Sequence, residues 1–126
     1  LRQIGYDLDK TVDRLQAYSS SIDGVLLDLS MGRGKSMDAA LLRPFILAFR
    51  SRLPHLRITV AGGLGPDTLH LVAPLVSEFP KISIDAQGQL RPSGSSKDLF
   101  DPARAEAYLR KAIEMYLATI PWVAPV

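Results

Sequence analysis

The chain has 126 residues, 47% of them hydrophobic, no cysteine, and 15 Lys+Arg against 13 Asp+Glu for a formal charge of +2. That length and apolar content suffice for one domain with an ordinary core, and the near balance of charge, with no basic stripe, excludes a nucleic-acid partner. Disulfides and thiolate metal sites are ruled out, which suits a reducing compartment. No apolar run approaches the roughly 20 residues of a membrane span, so the composition reads as that of a soluble, cytoplasmic chain without a membrane partner.

In chain order, β-type runs are predicted over residues 1–6, 24–29, 56–61 and 81–85, each followed by a helical pattern, over 8–18, 38–53, 66–79 and 102–117. The first run begins at residue 1 with no lead-in, which predicts a piece of something longer or a truncated strand. Strands recur every 25 to 30 residues or about that, the spacing of parallel strands joined by helical crossovers. The runs VLLDL and ITVAG are nearly continuous in apolar residues, as for strands buried on both faces. The expected fold is α/β, one domain over 1–126 built as (β/α)4. Four such units are half of an eight-stranded TIM-type barrel, whose usual size is about 250 residues.

Helix ends carry signals of their own. Asp101-Pro102 predicts an N-cap and first turn, and Gly65-Pro66-Asp67 a similar opening for the third helix. In the last helix, Ala105, Leu109, Ala112, Ile113 and Tyr116 form the stripe expected to face the sheet. Pro44 and Pro74 fall inside helical patterns and should bend or restart them. Residues 88–96, GQLRPSGSS, have loop composition.

Two apolar runs empty into glycine-rich turns, in LLDLSMGRGKSMD (26–38) and AGGLGPDT (61–68). Asp28 ends the second predicted strand, where α/β folds display reactive groups, and its leucine neighbours suit a partly desolvated acid or base; capping the next turn, or pairing with Lys35, is the structural alternative. Gly32-Arg33-Gly34-Lys35-Ser36 fails as a nucleotide P-loop, because that motif needs a glycine where Leu29 stands. What remains is a glycine-rich turn ending in a lysine, a modest anion signal set against a plain exposed loop. Gly62-Gly63 is the stronger phosphate candidate, since paired glycines at a strand end allow positive φ and close backbone approach; a turn needing glycine for geometry alone is the alternative. The last unit, Ile84-Asp85-Ala86-Gln87-Gly88, repeats the pattern. Lys97-Asp98 reads as a surface ion pair, and His55 and His70 lack a third ligand at metal spacing.

These segments together resemble the C-terminal half of phosphoribosylanthranilate isomerase. The signposts are LLD with a G-x-GK and an aspartate (26–38), AGGL with a helix start (61–68), and Ile-Asp-x-x-Gly followed by Ser-Gly-x-x-Lys-Asp (84–98), in the family's order and at about its spacing. The resemblance implies a TIM barrel of tryptophan biosynthesis that carries out an Amadori rearrangement of an aminoaldose phosphate by acid/base steps, without a cofactor or metal. It places Asp28 on the general acid, Gly62, Gly63 and Gly88 on the phosphate loops, and Gly32, Gly34 and Lys35 on a loop bordering the substrate. The family's base, a cysteine on the first strand, and an arginine on the second have no counterpart here. The chain also shows Met31-Gly32-Arg33-Gly34-Lys35 and Asp85-Ala86-Gln87-Gly88 where the family usually has Gly-Gly-Thr-Gly-Lys and Asp-x-Ser-Ser-Gly.

The expected ligand is thus a phosphorylated, sugar-like small molecule. The alternative is a phosphate-binding half barrel without turnover, or of different specificity, that acts as an assembly unit. An open parallel sheet leaves two edges and an inner face uncovered, so self-association or pairing with a complementary half barrel is expected, with the apolar tail at 120–126 as a milder way to cover that surface.

Overall fold

The computed structural model describes residues 7–29, 36–95 and 97–121. Four α-helices, α1 (Leu8–Tyr18), α2 (Ala39–Arg52), α3 (Ala73–Glu78) and α4 (Pro102–Leu117), alternate with three strands, β1 (Gly24–Asp28), β2 (Arg57–Ala61) and β3 (Ser83–Asp85). The strands pair in parallel in the order β1-β2-β3. The chain is therefore a mixed α/β protein. The first predicted strand, residues 1–6, lies outside the described residues, as do residues 122–126 of the 120–126 tail.

Three of the helices start on an aspartate. The Asp7 carboxylate accepts from the Lys10 amide at 3.0 Å, Asp38 from the Leu41 amide at 3.1 Å, and Asp101 from the amides of Ala103 and Arg104 at 3.0 and 3.4 Å. Helix α2 buries Leu42, Phe45, Ile46 and Phe49, an i, i+3, i+4, i+7 stripe, with Phe45 and Phe49 edge to face at 6.3 Å. Pro44 does not interrupt α2: it is exposed, and the carbonyl it fails to engage belongs to the exposed Ala40. Pro74 does restart a helix, sitting in the first turn of α3.

The third helical pattern is broken further. Instead of a helix opening at Gly65-Pro66-Asp67, the chain makes a turn in which the amides of Thr68 and Leu69 both donate to the Gly65 carbonyl. A short 3₁₀ segment, Leu69–Leu71, follows before α3. Gly65 and Pro66 supply turn chemistry that overrides the helical periodicity behind them.

All four helices share one face of the sheet. Leu27, Ile58, Val60 and Ile82 pack in a single core with Val12 of α1, Phe49 of α2, Val76 of α3 and Tyr108 of α4. The other face carries Leu26, Thr59 and Ser83 in one row and Asp28, Ala61 and Asp85 in the next. There Leu26 is 57% exposed. Burial on both faces, expected for the runs VLLDL and ITVAG, therefore fails for β1 and is only partial for β2, where Ile58, Val60 and Ala61 are buried but Thr59 is half-buried, because the helices cover one side only. No helix among the described residues is long and apolar enough to cross a membrane.

Helix α4 is also rotated from its expected setting. It buries Tyr108 and Ala112 and leaves Leu109 and Ile113 exposed. Tyr108 joins the core cluster, and the Tyr116 hydroxyl donates to the Ile82 carbonyl at 2.6 Å, which fixes that rotation.

Candidate functional site at the carboxyl ends of the strands

The turn after β2 is built on two left-handed glycines, Gly62 at φ 134° and Gly63 at φ 60°. Residues with a Cβ are strained in both conformations. The Thr68 hydroxyl donates to the Gly63 carbonyl at 2.6 Å and pins the turn from behind. Among the described residues, no hydrogen bond engages the amides of Gly63, Leu64 or Gly65, although Leu64 and Gly65 are buried. Three consecutive amides without acceptors form the backbone half of an anion cradle. Since the segment behind them is a turn and a 3₁₀ step, the donors are individual amides and not a helix N-terminus.

The turn after β3 lies against this one. A Cβ on Gly65 would stand 2.5 Å from the Gln89 Cβ, so only glycine allows the two turns to approach this closely. Gly88 opens a 3₁₀ segment, Gly88–Leu90, and its own Cβ position is filled by the Gly94 carbonyl at 2.8 Å. It thus faces its own loop. That loop is tied by Asp98, which accepts from the Ser93 amide at 3.0 Å and from the Ser93 hydroxyl, while Arg91 donates to the Asp98 carbonyl. The Ser93 hydrogen bonds hold the Asp98 carboxyl below the usual carboxylate range, with the Arg91 charge adding to them. Lys97 is not its partner; the Lys97 amide donates to Ser95. Arg104 closes the group, donating to the Gln89 carbonyl at 2.9 Å and standing 3.5 Å from Asp67.

Asp28 ends β1 at the same level, half-buried, in register with Ala61 and through it with Asp85 at the end of β3. Asp85 carries the same strand-end pattern as Asp28, and only strand register reveals that the two carboxylates share a face. Gly32, Gly34 and Lys35 lie outside the described residues. Beside Gly62, a cavity of about 580 Å³ opens between the strand ends and the starts of α1 and α2, lined mainly by Leu8, Leu29, Met37, Leu41 and Phe45. It is of small-molecule size.

The structure thus brings Asp28, Gly62, Gly63 and the Gly88 turn to one end of the sheet. What this end offers chemically is a set of unengaged amides, two carboxylates on one face, and an apolar recess. Comparison with protein-family models, curated proteins and solved structures finds no match for the chain.

Proposed function

We propose that this end of the sheet binds a phosphorylated, sugar-like small molecule, with its phosphate on the amides of Gly63, Leu64 and Gly65. Asp28 then acts as the general acid of an aldose–ketose rearrangement of the phosphoribosylanthranilate isomerase type. The carrying observation is the run of three amides without acceptors behind two left-handed glycines. Such amides complement a dianion without needing a side-chain cation. The half-barrel architecture belongs to the same proposal: sequential parallel strands with helices on one face are the arrangement of a barrel wall.

A second reading, phosphate binding without turnover, is favoured by one feature. Gly88 faces the carbonyl of Gly94 rather than the first turn, so the second phosphate loop of the resemblance is closed on itself. Incubating the full chain with phosphoribosylanthranilate and following its fluorescence separates the two. Turnover lost in Asp28→Asn supports the isomerase. Phosphate binding without turnover supports the binding module, and amide signals of Gly63 to Gly65 that do not respond to inorganic phosphate overturn both.

A further inference from the structure

Helix α4 carries a ridge that no element among the described residues covers. Leu109, Ile113 and Leu117 follow one another at four-residue intervals and are 57%, 57% and 59% exposed, and Ile120 continues the row just past the helix end. Side chains at this spacing line up along one side of a helix. The neighbouring side is already occupied, by Tyr108 and Ala112 in the core and by Met115 and Tyr116 against it. Isolated exposed leucines need no explanation, but a continuous ridge of branched aliphatics on one helix marks a contact surface.

We propose that this ridge is the contact between two copies of the chain, α4 packed antiparallel on α4 about a two-fold axis through Ile113. Over Leu109, Ile113 and Leu117 the pattern is self-complementary about that point, while Ile120, seven residues after it, falls opposite Glu106 of the second copy. Ile113 meets Ile113, and Leu109, four residues before it, meets Leu117 of the second copy, four residues after it; a two-fold contact requires this match of a surface with itself.

The charges beside the ridge obey the same symmetry. At about 1.5 Å of rise per residue, Arg110 lies about 4.5 Å before Ile113 and Glu114 about 1.5 Å after it. The two-fold therefore brings Arg110 of one copy within about 3 Å, along the axis, of Glu114 of the other on the same flank, and does so twice. Arg110 reaches Glu106 of its own helix at 2.7 Å, and Glu114 has no ion pair among the described residues.

The competing occupant within a second copy is α1, which would lie beside α4 if two copies closed one eight-stranded barrel. Helix α1 shows Asp9, Lys10, Asp13, Arg14 and Gln16 to solvent. Asp9 and Asp13 pair with Arg52, and Lys10 with Asp7, on their own side; an aliphatic ridge laid over them would take these charges from water and offer none of them a partner across the contact, so like packs on like. This contact stands independently of the ligand reading.

The test uses the absence of native cysteine. In the full chain, Ile113→Cys places one thiol on the axis, and mild oxidation is expected to link two copies in high yield, whereas Arg14→Cys on α1 stays unlinked. Sedimentation equilibrium at micromolar concentration is expected to show a dimer, weakened roughly tenfold or more by Ile113→Glu. Arg110→Glu alone should weaken it, and Arg110→Glu with Glu114→Arg should restore it. A monomer at these concentrations overturns the proposal. So does a dimer that Ile113→Glu leaves intact and Ile113→Cys does not link, which would point to the open sheet instead.

Discussion

Asp28 and Asp85 stand in one row across the sheet, with Ala61 between them and both strands ending at that level. Two strand spacings separate their backbones by about 9.6 Å. Direct coupling between the carboxylates is weak at that distance, yet a sugar-sized ligand spans it. Substituting Asp28→Asn keeps shape and removes the acid. If the proposed rearrangement occurs, turnover of phosphoribosylanthranilate should fall by about two orders of magnitude or more, with phosphate affinity unchanged. Asp85→Asn, on the same face, should also reduce turnover, while Ser83→Ala in the row below should not. Steady-state fluorescence assays on the three variants check this ordering.

The close approach of the two turns gives a prediction about stability. Gly65→Ala puts a Cβ 2.5 Å from that of Gln89, and the resulting overpacking should cost about 1–3 kcal/mol. Gln89→Ala keeps the offending atom and should not relieve the cost, whereas Gln89→Gly should recover much of it. Urea unfolding of the two double variants measures the difference. Gly63→Ala, at φ 60°, should cost about 1 kcal/mol from backbone strain alone, and no change at Gln89 should rescue it.

Asp98 organises the loop after β3 through Ser93, not through its neighbour Lys97. Asp98→Ala should therefore raise the hydrogen-exchange rate of the Ser93 amide, while Lys97→Ala leaves it unchanged. The carboxyl is held below its ordinary range in the folded chain. Its contribution is present above the ordinary carboxylate pKa and is lost as pH falls through the lowered value. Acidification below about pH 4 should thus loosen the same amide in the native sequence, which exchange measured across that range tests.

What the sequence made legible was local. Asp101 announces its helix because a cap acts over three residues, and VLLDL and ITVAG read as strands because their side chains are almost continuously apolar. Three features escaped for physical reasons. The segment Gly65-Pro66-Asp67 suits a helix opening and a turn equally, and the choice depends on where Gln89 sits 24 positions later. The setting of α4 is not legible because two adjacent apolar stripes compete on it, and long-range partners, the core around Tyr108 and the Ile82 carbonyl bound by Tyr116, decide between them. The kinship of Asp28 with Asp85 is a matter of register between strands, which no short-range pattern encodes.

Two tyrosines on α4 should respond in opposite ways to losing their hydroxyls. The Tyr116 hydroxyl donates to the Ile82 carbonyl, so Tyr116→Phe leaves that acceptor without its partner and should cost about 1 kcal/mol. Tyr108 is only 7% exposed, and its hydroxyl has no hydrogen-bond partner among the described residues. Tyr108→Phe removes a buried polar group that gains nothing from the fold and should stabilise the chain by about 1 kcal/mol. Burial, with the nearby Asp85 carboxylate and Tyr116 adding to it, pushes the Tyr108 phenol from 10.0 up to about 12. The sign follows from proton counting. Between these values the folded chain keeps a proton that the unfolded chain releases, so stability is intact below pH 10 and declines as pH rises toward 12. Urea midpoints recorded across that window should fall steeply for the native chain. They should fall less for Tyr108→Phe, and the remaining slope should reflect Tyr116, which burial also raises. Equal slopes for the two proteins would show that Tyr108 ionises as readily folded as unfolded.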